Sequence, residues 1–256
     1  MKKYIAAFLA IFIFSCNVYA SGNSDEDNAV EKARILLGSR NKESNEKGEA
    51  ILQEMTGRSV KARYLLGWWL LKEKDRGATS RRRGLSLISS AQFEGDSSAG
   101  YLMAHIYKKG IEVYDLKNEK RAVKLLREVL LRGDYPSADE EQILGKWLIE
   151  QDRVKNKKEA IYWLERSLNH DNLFAISILV PLLVEGEERD LVKAWFYSDL
   201  GGTGMASEKH AIEKQMTPEQ REQAQEMSWQ WQDEHHIHVP GYRGQGSPLR
   251  WQVESH

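Results

Sequence analysis

Ala62, Leu66, Trp69, Leu70 and Glu73 fall at i, i+4, i+7, i+8 and i+11, which is one face of a helix. The segment that carries them, ARYLLGWWL (residues 62–70), aligns with AGYLMAHIY (99–107), EEQILGKWL (140–148) and AISILVPLL (175–183). Small residues recur inside these stretches, at Gly67, Ala104 and Gly145, where a second helix needs close approach. Pro181 interrupts the last of them; it lacks an N–H and crowds the carbonyl of Ser177, which predicts a kink.

A second periodic segment follows each first one. Ala160 and Trp163 define its register, and Ala194 and Tyr197 repeat it 34 residues later. Ala122 and Leu125 stand 38 residues earlier, Gly84 and Leu87 another 38, and a degenerate copy at Ala50 and Gln53 another 34. Seven residues after each start comes a small or β-branched residue: Gly57, Ala91, Val129, Ser167, Gly201. A self-similar period of 34–38 residues, two helices per unit, predicts a repeat architecture. One helix pair cannot bury its apolar stripe alone, whereas stacked pairs share a continuous core.

The pattern Ala-x-x-x-Leu-Gly-x-x-Tyr-x-x-Gly, then Asp-x-x-Lys-Ala-x-x-Trp, resembles the Sel-one-like repeat family, relatives of tetratricopeptide repeats. The resemblance covers residues 60–204, with departures at Arg83-Gly84, where Lys-Ala is usual, and at Val180-Pro181, where Gly is usual. It implies an all-α fold, an α-solenoid of stacked antiparallel helix pairs that presents a surface to partners. The expected organisation is a degenerate N-terminal capping pair at 24–57, repeats at 58–204, a C-terminal capping helix region at 205–236 and a coil tail at 237–256. Within the cap, Thr217, Pro218 and Gln220 suit N-cap, N1 and N3, and Ala224, Met227 and Trp231 share one face.

Residues 1–20 differ from the rest. Lys2 and Lys3 precede an apolar run over 4–14, and Val18 and Ala20 put small residues at −3 and −1 before Ser21. This reads as a secretory signal peptide, too short for a membrane span. Cys16, the one cysteine of the chain, opens a second reading, because Ile13-Phe14-Ser15-Cys16 resembles a lipobox in which Cys16 is lipidated. The first places the protein in the periplasm, the second on a lipid anchor at the outer membrane. Neither leaves a disulfide.

Composition excludes more than it selects. The net charge of −1 gives no bulk case for a nucleic-acid partner. Charge is nonetheless uneven: residues 58–83 hold nine Lys or Arg against Glu73 and Asp75, and residues 205–236 hold three against seven acidic ones. Opposite charge at the two ends suits orientation of a charged partner. There is no Gly-x-Ser-x-Gly, no His-Glu-x-x-His and no cysteine nucleophile after Cys16, so no enzyme activity and no cofactor are expected. His235, His236 and His238 cluster where a helix frays into coil, which is no rigid metal site. Residues 201–204 are glycine-rich but follow a helix rather than preceding one, as a phosphate loop would.

The candidate site is aromatic. Of the eight tryptophans, Trp69, Trp147, Trp163 and Trp195 occupy core positions of the repeat. With Ala62 set to zero, Tyr64 lies at about 200° and Trp68 at about 240° on the helix, off that stripe. The next repeat puts Tyr101 and His105 at the same two places, and the third puts Gln142 and Lys146 there. First helices line the concave groove in tetratricopeptide-like stacks. The resemblance therefore implies that Tyr64, Trp68, Tyr101 and His105 form an aromatic ladder for a partner.

The functional expectation is a non-catalytic protein–protein interaction module of the bacterial cell envelope. Exported Sel-one-like proteins include immunity proteins against lipase-type toxins delivered by type VI secretion, and a secreted toxin is the specific partner expected. Adaptors in envelope assembly or signalling, and peptidoglycan recognition by the ladder, are the alternatives. Some relatives hydrolyse β-lactams, but their repeats are stapled by paired cysteines that this chain lacks.

Overall fold

The computed structural model describes residues 24–72, 76–111, 116–133 and 137–235. The signal segment, Cys16, His236, His238 and the 237–256 tail lie outside the described residues. The chain divides into two compact units, residues 1–135 and 136–256.

The first unit contains α1 (Ser24–Leu37), α2 (Lys42–Met55), α3 (Val60–Lys72), α4 (Ala78–Phe93), α5 (Ser97–Lys109) and α6 (Glu119–Arg132). Each helix packs against the next in the chain. The second unit contains α7 (Ala138–Gln151), α8 (Lys157–Asn169), α9 (Ile176–Val184), α10 (Leu191–Leu200), α11 (Ala206–Glu213) and α12 (Pro218–Glu234). Short 3-10 turns at Leu173–Ala175 and Gly202–Met205 lead into α9 and α11. In this unit α7 pairs with α8 and α9 with α10, while α11 and α12 both rest on α10. The fold is all-α, helix pairs stacked side by side with a C-terminal capping helix.

Helix starts are written into the sequence. Asp96, Asn118 and Asp190 each accept a hydrogen bond from the backbone N–H three residues on, at 2.7–2.9 Å. Thr217 and Gln220 form a reciprocal capping box at the head of α12. Gly133, in the left-handed conformation at φ 77°, terminates α6. α9 continues past Pro181 to Val184.

Packing follows the repeat register. Gly84, Ala122, Ala160 and Ala194 are buried at equivalent places in α4, α6, α8 and α10. The degenerate copy needs a shift of two residues: in α2 the buried small residue is Gly48, and Ala50 is exposed. A Cβ on Gly48 would stand 2.9 Å from the carbonyl oxygen of Ala33, just as one on Gly84 would stand 2.8 Å from that of Gly67. The contact selects for absence of a side chain, and Gly and Ala look alike as small residues, so sequence spacing alone picks the wrong one here. Four residues after each small position a second interior residue follows, at Leu52, Ile88, Leu126, Leu164 and Ser198, all at 0% exposure. Ile88 and Leu164 lie directly against Gly67 and Gly145 of the preceding helix, 2.6 and 2.7 Å from where a Cβ would stand. Trp69, Trp147, Trp163 and Trp195 are buried as well.

Candidate partner-binding surface

The aligned aromatic positions have unequal environments. Tyr64 on α3 and Tyr101 on α5 are buried, at 6% and 4% exposure. Trp68 and His105, one turn further along each helix, are partly exposed. Trp68 is thus the aromatic ring of the four that is open to solvent in part, whereas both ring nitrogens of His105 are buried. Tyr101 and His105 lie with ring centroids 4.4 Å apart, tilted by 59°. Burial disfavours the imidazolium, and Lys109 adds repulsion, so the His105 pKa falls to about 3 and the ring is neutral near pH 7. The Lys72 ammonium stands 4.9 Å over the Trp68 ring and 5.6 Å from that of Trp69. Trp68 also packs on the core of α1, α2 and α3. The corresponding residues of α7, Gln142 and Lys146, are part-buried and exposed. The aromatic character of the strip thus ends with the first unit.

Several cations of residues 58–83 are spent on holding helices together. Glu49 on α2 accepts Arg76 through both oxygens, at 2.9 and 2.5 Å, and the Trp69 indole at 3.1 Å. The Arg76 hydrogen bond leads in holding the Glu49 carboxyl below its usual range. Arg63 pairs with Glu94 and donates to the Thr56 carbonyl at 2.7 Å. Arg83 reaches Gln53. These contacts tie α2 to α4 and α3 to the end of α4, which is what long cationic side chains do along a helix stack.

A second basic tract lies further along, beyond where the local charge count of the sequence stopped. Between Lys117 and Arg132 there are six Lys or Arg and two Glu. α6 turns Ala122, Val123, Leu125, Leu126, Val129 and Leu130 inward, which leaves Lys120, Arg121 and Lys124 exposed. They line an open depression together with Gln92 from α4. The signal was present as the strong amphipathicity of this helix, whose polar face is cationic.

In the second unit the polar groups that matter are interior. The Glu141 side chain on α7 is fully buried and meets two groups from the end of α8. Arg166 Nε stands 2.7 Å from one oxygen and His170 Nδ1 2.8 Å from the other. Asp199 on α10 accepts Ser228 Oγ of α12 at 2.5 Å and pairs with Lys209 of α11 at 2.5 Å, while Gln232 donates to Ser228 at 3.0 Å. Sequence reasoning named neither cluster, because both join residues about 10–30 apart that only packing brings together. Their chemistry is that of clamps: the Ser228 proton is committed to a carboxylate. Tyr197 likewise donates to Glu165 at 3.0 Å, and burial pushes its phenol pKa up.

Among the described residues no group of three or more His, Cys, Asp or Glu side chains is arranged to hold a metal ion. No helix there is long and apolar enough to cross a membrane. His235 stacks on Trp231 with centroids 4.0 Å apart, and its Nδ1 lies 2.9 Å from the Trp231 carbonyl oxygen.

No protein-family model matches the chain. No curated protein matches it either. Solved structures do. A Sel1 repeat protein from Oxalobacter formigenes is 13% identical, with a TM-score of 0.53 over 91% of this chain and 95% of its own. A protective antigen present in uropathogenic Escherichia coli strains, displaying an SLR fold, is 17% identical with a TM-score of 0.44. That alignment takes in 88% of this chain and 57% of the antigen's length.

Proposed function

We propose that this chain, which has the Sel1-like repeat fold, is a protein-binding module that works without catalysis in the bacterial cell envelope. The observation that carries the reading is the division of labour among its side chains. Most apolar side chains and the buried ionic clamps are used in stacking helices, while the exposed surface keeps charge on α4 and α6, part of Trp68, and single apolar side chains such as Phe93, Val154 and Phe174. Such a surface recognises another macromolecule by shape and charge.

The envelope location rests on residues 1–20, which have the basic, apolar and small-residue order of an export signal. Within that compartment the specific role we favour is immunity against a lipase-type toxin delivered by type VI secretion. The resemblance to exported Sel-one-like proteins supports this role. The test is affinity capture from the envelope of the native host, the protein being produced with its own leader and its co-purifying proteins identified by mass spectrometry. A stoichiometric toxin that loses activity when mixed with the purified protein is the expected result. Assembly or signalling proteins in its place would make the chain an adaptor. Retention on purified peptidoglycan with no protein partner would overturn the proposal.

A further inference from the structure

We infer that the depression on α6 of the first unit is a docking site for an acidic segment of a protein partner. The inference rests on the protein-binding reading and adds to it the chemistry of the partner and the place of contact.

α6 has two faces of opposite character. Its six buried apolar residues face inward, so the helix is anchored and its outward residues can be used for recognition. Lys120, Arg121 and Lys124 all stand in solvent around one concavity, whose remaining lining is Gln92, Asn118, Leu125 and Glu128. Three cations thus face one carboxylate. That carboxylate neutralises little: Lys124 Nζ stands 3.8 Å from Glu128, and the two side chains are 74% and 47% exposed. Arg121 is held with its guanidinium 4.4 Å over the Tyr107 ring. The ring orders the group and leaves its charge and outer N–H donors available. Gln92, from the neighbouring second helix, adds an amide that hydrogen-bonds either a side chain or a peptide backbone.

The wider field favours the same sign. From Arg58 to Gly133 the sequence holds seventeen Lys or Arg and eight Asp or Glu. A concave patch inside such a region draws anions toward it and keeps them there better than a flat one.

The anion is best matched by carboxylates on a protein. Three cations at i, i+1 and i+4 within one concavity fit two or three carboxylates on a short segment. Strong binding of a nucleic-acid backbone typically uses about 6–10 phosphate contacts. The chain as a whole holds 37 basic and 38 acidic residues, so the excess of cations is local to this stretch of sequence and is not continued for a long polyanion to follow.

The experiment uses the full chain without residues 1–20 and a fluorescein-labelled peptide of alternating Glu and Leu, read by fluorescence anisotropy at low and moderate salt. The site variant is Lys120→Glu with Lys124→Glu, and Lys120→Gln with Lys124→Gln is its milder form. Lys32→Glu with Lys42→Glu changes the net charge equally at exposed places elsewhere in the first unit. All these residues are exposed, so the variants keep the helical circular dichroism of the parent. Peptide binding should weaken about tenfold or more in the Glu variant, by less in the Gln variant, and by less than about twofold in the distant control. Unchanged binding in the site variant, or equal loss in the distant control, overturns the assignment. A thymidine decamer or anionic phospholipid vesicles that bind more tightly than the peptide, with the same loss in the site variant, also overturn it in favour of phosphate recognition. Capture from the native envelope with parent and site variant separates the two levels of inference. If partners are retained by both, protein binding stands and the depression is the wrong place. If neither retains any, the protein-binding reading itself falls.

Discussion

Gly67→Ala tests the packing on which the whole stack depends, because two known effects pull it in opposite directions. Gly67 lies in the middle of α3, where alanine is the better helix former by about 1 kcal/mol. If the helix were only locally stabilised, the substitution would strengthen the protein. The structure places the new Cβ 2.6 Å from Ile88 Cγ1 and 2.7 Å from the carbonyl oxygen of Gly84. Ordinary contact begins near 3.4 Å. The Ile88 rotamer can relax, but the Gly84 oxygen is backbone, so α3 and α4 must separate along their contact line. Overpacking of this kind costs about 1–3 kcal/mol, and a backbone partner puts it at the upper end. The net expectation is destabilisation by about 2 kcal/mol, a lowering of the melting temperature by roughly 4–8 °C. The assay is thermal and urea unfolding followed by far-ultraviolet circular dichroism. Gly57→Ala serves as control, since nothing lies within 4 Å of its Cβ position. A Gly67→Ala protein as stable as the parent, or more so, would refute the close contact between the two helices.

Further predictions follow from the buried groups. Arg166→Leu strips the interior Glu141 carboxylate of its guanidinium and should cost about 2–4 kcal/mol in urea unfolding, whereas Glu141→Gln with Arg166→Leu should recover part of the loss. Asp199→Ala leaves Ser228 and Lys209 without their acceptor and should cost about 2 kcal/mol, seen first as earlier proteolysis within α12. Tyr64→Ala should destabilise by about 3 kcal/mol because the ring is interior; Trp68→Ala should cost less, so a binding loss from Trp68→Ala alone would report on recognition. His105 has a folded-state pKa of about 3 against 6.5 when free. Its contribution is thus whole above pH 6.5 and is lost as pH falls toward 3, by at most about 1.4 kcal/mol per pH unit. His105→Phe should flatten that slope in denaturation measured from pH 7 to 4.

What sequence alone determined is local and periodic. The first and second helices of each unit follow from apolar spacing at 3.6 residues, the start of the capping helix from Thr217, and the stacking of the helices from small residues such as Gly67 and Gly145. These features are legible because each depends on neighbours within a turn or two, or on a repeat that shows the same contact several times. Position along the repeat is less legible at its degenerate edge, where one buried glycine, Gly48, rather than Ala50, marks the register. The aromatic strip was half legible: a helical wheel separates Tyr64 and Trp68 from the apolar stripe by angle, but how far each ring is covered depends on what packs over it. Tertiary structure decided that Tyr64 and Tyr101 are interior, that the ring nitrogens of His105 are covered, and that Trp68 stays partly open to solvent. It also decided which charges are spent. In the sequence, Arg63, Arg76 and Arg83 look no different from Lys120, Arg121 and Lys124. Only the approach of Glu94, Glu49 and Gln53 from other helices distinguishes them, because a long cationic side chain finds its partner through space, and a linear sequence carries no record of that distance.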